Sequence, residues 1–288
     1  MSVLDQPSAV RLGVFLGVLV IMAFAESVVP RRRLTASKPL RWAGNLGLAF
    51  LNTLVMRAVL PLGAVGMALK AEEHGWGLLN NVNLPEWLAV VLAVVALDLA
   101  IYFQHVLFHA VPMLWRLHMV HHADLDFDVT TGLRFHTLEI LLSLGIKLAA
   151  VALVGAGALA VFCFEALLNA TSMFNHGNIR LPAWLDRALR LVVVTPDMHR
   201  VHHSVIVRET NSNFGFNLPW WDFVFGTYRA QPSEGHGGMT IGLAQIRGTR
   251  ALGLFSMLTL PLDRDLGPYP INRRGADGPP GSGHNENL

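Results

Sequence analysis

Residues 114–122 read LWRLHMVHH, and residues 195–204 read TPDMHRVHHS. Both segments contain the arrangement His-x2-His-His, in which histidines three or four residues apart lie on one side of a helix. Imidazole nitrogen is a ligand for iron, copper and zinc. Ten of the 13 histidines, including those of the two boxes, fall between residues 105 and 203. Ten ligands are too many for one metal ion and are suited to two. The predicted ligands of this dinuclear metal site are His105, His109, His118, His121, His122, His136, His176, His199, His202 and His203.

The composition predicts a membrane protein. Hydrophobic residues make up 52% of the chain and charged residues only 15%, whereas soluble proteins average about 25% charged residues. The net charge of +2 gives no indication of nucleic-acid binding. The single cysteine, Cys163, excludes an intrachain disulfide and leaves no cysteine set for an iron–sulfur site.

Long apolar runs predict four to five transmembrane helices. The first run, about Leu12 to Val29, could be a signal peptide, but charged residues follow it and no signal-peptidase cleavage site is present. It is therefore expected to remain as a membrane helix. The second lies within Trp42 to Leu69, and the third runs from about Trp87 to Phe103. The stretch from Ile140 to Phe174 is too long for one crossing. The Gly155-Ala156-Gly157 sequence near its centre predicts a hairpin of two helices.

The distribution of charge predicts the orientation of these helices. Positive charge is retained in the cytoplasm, and the segment between the first two spans is basic, whereas the segment from Lys70 to Glu86 is mainly acidic. The N-terminus is then outside, and every histidine box is cytoplasmic. The basic residues are Arg31, Arg32, Arg33, Lys38 and Arg41.

The fold class expected is an all-α integral membrane bundle with a cytoplasmic, histidine-rich cap that binds a dinuclear metal site. Residues 1–85 are predicted to form N-terminal membrane helices and residues 86–230 the catalytic domain. Residues 231–288 are predicted to form a C-terminal extension whose tail, from Arg273, is disordered.

Two apolar segments carry polar stripes that lead into the histidine boxes. Asp98, Tyr102, His105 and His109 are spaced 4, 3 and 4 residues apart, and Glu165, Asn169, Ser172 and His176 follow a similar pattern. Polar groups within membrane helices face the interior of the bundle and mark function, and carboxylates orient the rings of ligating histidines. No catalytic residue is expected beyond the metal ligands. The residues predicted to support the ligands are Asp98, Tyr102, Glu139, Asn169, Asp197 and Asp222.

Several metal-dependent classes are excluded by their missing motifs. Zinc hydrolases with His-Glu-x-x-His and soluble di-iron bundles with Glu-x-x-His have no counterpart here. Haem needs one or two isolated axial ligands rather than dense clusters. Dinuclear, nitrogen-rich iron at a membrane surface would suit the activation of oxygen.

The boxes together resemble the fatty acid hydroxylase/sterol desaturase superfamily. The similarity rests on His105-x3-His109, on residues 114–122, on Arg134-Phe135-His136-x2-Glu139 and on residues 195–204. Asn213-Phe214-Gly215, Trp221-Asp222 and Phe225-Gly226-Thr227-Tyr228 are similar to the closing motif of that family. The resemblance covers about Asp98 to Tyr228. Thr137 departs from it, since the family often has proline at that position.

The resemblance implies a non-haem enzyme with two iron ions that uses O2 to hydroxylate a membrane lipid. The substrate could be a fatty acyl chain, a sterol-like ring or another lipid of the bilayer, and a lipid desaturase of the same superfamily is an alternative. Electrons would come from an external donor, such as a cytochrome, a ferredoxin or a reductase. A bacterial inner membrane is the expected location, with the active site on its cytoplasmic side.

A metal-binding or transport protein without catalytic activity is an alternative from another class. Transporters hold their ligands near the midplane of the bilayer. The boxes here fall at helix ends and in surface segments, which favours an enzyme.

Overall fold

The computed structural model describes residues 7–248, 251–263 and 265–272, and in these residues it is helical, with three isolated β-bridges and no extended strand. The tail predicted to be disordered, Arg273 to Leu288, lies outside the described residues. Short 3₁₀ helices cover Leu79–Asn81, Thr131–Leu133 and Leu260–Leu262. The α-helices are α1 Pro7–Val28, α2 Lys38–Val59, α3 Gly63–Glu73, α4 Glu86–Ala110, α5 Pro112–His122, α6 Thr137–Val154, α7 Ala158–Asn175, α8 Ala183–Leu189, α9 Pro196–His202, α10 Val207–Thr210, α11 Trp220–Val224, α12 Gly235–Gly238 and α13 Leu254–Thr259.

Five helical segments are long and apolar enough to cross a membrane, the upper number of the sequence prediction. They are Val10–Val28, Lys38–Glu73, Glu86–Ala110, Thr137–Val154 and Ala158–Asn175. Most of their surface faces outward, as expected for helices whose surroundings are lipid rather than water.

The predicted hairpin is present between α6 and α7. Gly155 ends α6 with a φ of 71°, a left-handed conformation that glycine adopts without steric cost. A Cβ atom at Gly155 would lie 2.9 Å from the carbonyl oxygen of Trp76 and 3.0 Å from the amide of Asn80. The turn therefore packs closely against the segment that follows α3.

The second apolar segment differs from the single span predicted within Trp42 to Leu69. It runs for 36 residues and breaks at Leu60–Pro61, between α2 and α3. A straight helix of this length would measure about 54 Å, well above the roughly 30 Å of a hydrocarbon core. The excess is explained by the first two thirds of α2, where Arg41, Asn45 and Asn52 are buried against loops of the cap.

All five apolar segments meet at one end of the bundle. The ends of α1 and α7 are joined where Arg31 donates its backbone N–H to the carbonyl of Asn178, at 2.9 Å. The start of α6 reaches α5 through His118 and Glu139, and α4 ends where it enters α5. The cap of α5, α9 and their loops covers this end, and the hairpin lies at the other.

A buried ion-pair network fixes α2 to the cap. Arg41 donates from Nε and Nη2 to Asp124 at 2.6 and 2.8 Å, and from Nη1 to Asp128 at 2.5 Å, with all three side chains fully buried. Burial opposes ionisation of Asp124, but the guanidinium beside it outweighs this effect and lowers its pKa. Thr131 donates to the same carboxylate, so the network also holds the loop after α5.

A second charged cluster lies among the apolar helices. Glu165 of α7 accepts from Lys147 of α6 at 2.7 Å and pairs with Arg11 of α1 at 2.8 Å. Its carboxylate therefore joins three transmembrane helices instead of reaching the cap with the rest of its predicted stripe. Pairing of this kind is how ionisable groups are held within a membrane.

Replacing Arg41 with glutamine should destabilise the fold strongly, because Asp124 and Asp128 would be left buried without the guanidinium that hydrogen bonds to both. Removing one partner of a buried pair costs about 3–5 kcal/mol. Thermal unfolding in detergent should show a clearly lowered midpoint for Arg41→Gln. Arg33→Gln, which removes an exposed charge from the same segment, should unfold like the wild type. Equal midpoints for the two variants would contradict the role given to the network.

Candidate metal centre

Five histidines from α4, α5 and α9 form the first group. The ligand atoms of His105, His109, His118, His122 and His202 all lie within 4.8 Å of one another, and every side chain is buried. Nε2 of His109 lies 3.1 Å from Nε2 of His122. Nε2 atoms of His105, His118 and His202 are buried without any hydrogen-bond partner among the described residues.

Four histidines from α5, α7 and α9 form the second group. His121, His176, His199 and His203 are buried, and their ligand atoms likewise lie within 4.8 Å of one another. Nε2 of His176 lies 3.1 Å from Nε2 of both His121 and His199. The rings of the two groups are in contact, since His122 stacks on His203 at 4.6 Å between centroids.

The two boxes divide their histidines between the groups in a reciprocal way. In α5 the i,i+4 pair His118 and His122 belongs to the first group and His121 to the second. The second box contributes its own i,i+4 pair, His199 and His203, to the second group, and His202 to the first. Neighbouring residues of a helix point about 100° apart, so one short helix can supply ligands to two adjacent sites.

These positions fit two metal ions. Two imidazole nitrogens bound to one ion at about 2.1 Å lie roughly 3.0–3.4 Å apart, and the closest Nε2 pairs are 3.1 Å apart. Neutral imidazoles have a lone pair at the unprotonated nitrogen. Lone pairs brought this close repel each other, and a shared cation removes the repulsion.

The electrostatics keep the ligands in the form that binds metals. Burial, reinforced by neighbouring imidazoles, lowers the pKa of six grouped histidines that lie beyond the membrane-spanning helices. For His176 burial lowers the pKa to about 3. Metal ligation requires the neutral ring. The other histidines whose pKa lies well below its ordinary value are His121, His122, His199, His202 and His203.

Backbone carbonyls set the orientation of four of the nine grouped rings. Nδ1 of His105 lies 2.8 Å from the carbonyl oxygen of Phe214, and Nδ1 of His202 lies 2.7 Å from that of Ser212. Nδ1 of His176 lies 2.7 Å from the carbonyl oxygen of Ser172. When Nδ1–H donates to a carbonyl, the lone pair is on Nε2 and points at the centre.

The polar stripe of α4 holds the segment that supplies one of these carbonyls, that of Phe214. Asp98 accepts from the amides of residues 217 and 218 and, at 2.8 Å, from Nε1 of Trp221. Tyr102 hydrogen bonds to Thr227, and Asp222 accepts from the amides of Phe214 and Gly215 at 2.8 Å. Asp98, Tyr102 and Asp222 thus act on the histidines through the closing segment, residues 213–228.

Among the predicted carboxylates, Glu139 is the one that contacts a ring of the two histidine groups directly. Its Oε1 lies 2.6 Å from Nδ1 of His118, and both side chains are buried. The contact joins the start of α6 to α5 and fixes which nitrogen of His118 faces the first group. A carboxylate in this position raises the basicity of the ligand nitrogen.

Three predicted site residues lie elsewhere. His136 belongs to neither group, and its Nε2 lies 3.2 Å from the carbonyl oxygen of Leu258. Asn169 donates to the backbone of Glu165 in its own helix. Asp197 pairs with Arg31 and Arg200, and the imidazole that it approaches, at 3.5 Å, is that of His236, which belongs to neither group.

Besides the three carbonyls above, the sequence analysis did not predict two further residues that orient ligands. Asn211 contributes Oδ1 at 3.0 Å from Nδ1 of His109, and the carbonyl of Arg134 lies 3.2 Å from Nδ1 of His121. Asn211 stands in a polar run after the second box, a weak signal. Backbone acceptors leave no side-chain signature, so they could not have been found from residue types.

Comparison with known proteins places the centre in a recognised domain. Residues 90–227 match the family described as fatty acid hydroxylase. The ornithine lipid hydroxylase OlsE of Rhizobium tropici is 32% identical over 198 residues, which cover 68% of this chain and 56% of that protein. Alkylglycerol monooxygenase of Homo sapiens is 27% identical over 177 residues, 57% of this chain and 36% of that protein. The chain thus spans about half or less of the length of these relatives, and no solved structure matches it.

Substitution of single box histidines should remove metal from one group at a time. His202→Ala takes a ligand from the first group and His203→Ala from the second, so each variant should lose about one ion per chain. His136→Ala should retain the metal content of the wild type. Elemental analysis of anaerobically purified protein measures this. Loss of an ion from His136→Ala alone would show that the grouping is wrong.

Loss of the Glu139 carboxylate should weaken metal binding, because His118 would no longer be held in its ligating orientation. Removing such a partner typically costs about 10- to 100-fold in metal affinity. Anaerobic titration of metal-free Glu139→Ala measures the change. Asn169→Ala is the matched control, since its side chain bonds only within α7. Unchanged metal affinity in Glu139→Ala would contradict the role given to Glu139 in orienting His118.

Proposed function

We propose that this chain, whose residues 90–227 form a fatty acid hydroxylase domain, is a membrane lipid hydroxylase that uses two iron ions and O2. The observation that carries the proposal is the convergence of nine buried histidines into two touching groups at one end of an apolar helical bundle. A centre in this position lies between the cap and the apolar helices, where a lipid from the bilayer could reach it.

The imidazole ligands and the activities named for the relatives together favour iron as the metal. Imidazole alone suits zinc, copper and iron. Zinc has no redox chemistry, whereas the names of both relatives describe oxygen insertion, as a hydroxylase and a monooxygenase. When bound, the two irons would supply activation of O2 and removal of hydrogen from an unactivated C–H bond. The balanced reaction consumes the C–H bond, O2, two electrons and two protons, and gives an alcohol and water.

The chain's own residues keep the centre ordered and dry. Phe214 lies against His105, His109 and His202 with ring centroids 5.1–5.5 Å apart. Phe135 stacks on His121 at 4.4 Å. These contacts exclude water around the ligands, which protects reactive species from side reactions.

The substrate we propose is a lipid taken from the bilayer. The relatives act on an ornithine lipid and an alkylglycerol, according to their names. A fatty acyl chain, a sterol-like ring or another membrane lipid would reach the centre from the apolar helices that carry it. The electrons would come from an external cytochrome, ferredoxin or reductase, since one cysteine cannot hold an iron–sulfur cluster.

The orientation we propose places the centre on the cytoplasmic side, in a bacterial inner membrane. The support is the basic segment between α1 and α2, which lies at the same end of the bundle as the histidines. The segment from Lys70 to Glu86, at the opposite end, is mainly acidic. Positive charge is concentrated on the cytoplasmic side of membrane proteins.

Purified protein should contain about two coupled irons per chain and should hydroxylate a lipid. Metal analysis and Mössbauer spectra of anaerobically purified protein test the first point. Incubation of lipid extracts with ¹⁸O₂, a reductant and an electron donor tests the second, with mass spectrometry to detect an alcohol that carries the label. His202→Ala should abolish the product.

Other results would assign a different function. An alkene without incorporated label would identify a desaturase. Tight zinc binding under iron-replete expression, with no oxygen consumption on any lipid, would favour a metal-binding or transport protein.

A further inference from the structure

A cleft of about 780 Å³ opens at the edge of the cap, beside the metal centre. Three arginines line it, Arg31, Arg180 and Arg187, together with the carboxylates Asp186 and Asp197. Its volume is within the range of small-molecule sites, roughly 300–1,000 Å³. The metal centre uses none of these side chains as ligands.

The cleft lies at the level expected for lipid headgroups. Arg31 follows the last residue of α1 by three positions, and Arg180 follows the last residue of α7 by five. The two chain segments are joined by a hydrogen bond from the amide of Arg180 to the carbonyl of Val29, at 2.9 Å. Both arginines therefore stand just beyond the ends of helices that cross the hydrocarbon core.

The cleft has a surplus of positive charge. Asp197 accepts from Arg31 at 2.9 Å and also pairs with buried Arg200. Asp186 accepts from buried Arg190 at 2.8 Å. The two carboxylates are thus already matched by arginines, while the exposed guanidiniums of Arg180 and Arg187 remain as uncompensated charge.

Apolar surface adjoins the charged part of the cleft. Residues 181–183 line it with leucine, proline and alanine. Trp184 and Leu191, both 67% exposed, extend this surface, and Trp220 joins it by donating from Nε1 to the carbonyl of Leu191. Exposed tryptophan beside basic residues is typical of protein surfaces at a membrane interface.

A single helix separates the cleft from the metal ligands. Asp197 lies in α9, a helix of seven residues, and His199 of the second group follows two positions later. A molecule held by the arginines is therefore close to the centre but outside it. An acyl chain attached to that molecule could enter the adjoining apolar region.

We propose that this cleft binds the anionic headgroup of the lipid substrate, through a phosphate or a carboxylate. Arginine recognises both groups by paired, charge-assisted hydrogen bonds. The assignment as substrate rests on the function proposed above, whereas the headgroup site itself does not. The substrate class would be acidic membrane lipids rather than neutral sterols or uncharged glycerides.

The test measures binding without turnover. Iron-loaded wild-type protein and the double variant Arg180→Gln/Arg187→Gln are compared by native mass spectrometry, with phosphatidylglycerol and phosphatidylcholine of identical acyl chains. Arg31 is left intact because it holds Asp197. We expect binding of phosphatidylglycerol to fall about thirtyfold in the variant, and binding of phosphatidylcholine to stay unchanged.

A charge-matched control separates the cleft from general surface potential. Arg33→Gln/Arg208→Gln removes two exposed arginines that do not line the cleft and should bind phosphatidylglycerol within about threefold of the wild type. Iron content equal to the wild type would show that both variants are folded. An equal loss in both double variants would overturn the proposal.

Two further outcomes would also overturn it. If glycerol 3-phosphate displaces phosphatidylglycerol at the same concentrations at which phosphatidylglycerol binds, the cleft is a site for soluble anions. Slower reduction by an acidic electron donor, with lipid binding unchanged, would show a docking surface for that donor. If the arginines bind phosphatidylglycerol but no lipid is hydroxylated, the function proposed above fails and the headgroup site stands.

Discussion

Buried imidazoles impose the constraint on which this structure depends. Each neutral ring has one nitrogen that must donate and one that offers a lone pair, and a buried polar atom without a partner is costly. Most rings here meet the first requirement with a carbonyl or carboxylate at Nδ1. The Nε2 atoms are then gathered in two places, an arrangement that a cation bound in each group would stabilise. The closing segment, Asp98 and Glu139 are present in the fold to hold that arrangement.

The sequence predicted the parts of this arrangement that depend on local periodicity. The spacings of the boxes gave eight of the nine residues that the structure groups, and the polar stripe of α7 gave the ninth, His176. The apolar runs predicted four to five transmembrane helices with a hairpin at Gly155, and the structure has five such segments. His136 was included because it stands in a family-like motif. It has no helical partner at ligand spacing, and the structure leaves it beside Leu258.

The structural features that the sequence did not predict depend on contacts between residues far apart in the chain. The pairing of Arg41 with Asp124 joins residues 83 positions apart, so the extension of α2 into the cap had no local signal. Glu165 has the spacing of a residue in the functional stripe, yet Lys147 and Arg11 hold it among the membrane helices. Carbonyl acceptors are common to every residue, and their role depends on where the backbone passes.

Because each box supplies ligands to both groups, the boxes limit where insertions and deletions can occur in the gene. A residue inserted in an exposed turn outside the helices, such as that between α8 and α9, lengthens a loop and leaves the ligand spacing of both groups intact. A residue inserted inside a box turns every following side chain by about 100°, which would exchange or remove ligands of both ions at once. Each box is thus a unit of fixed length, five residues that must be inherited without insertions or deletions, and variation in length is confined to the exposed loops.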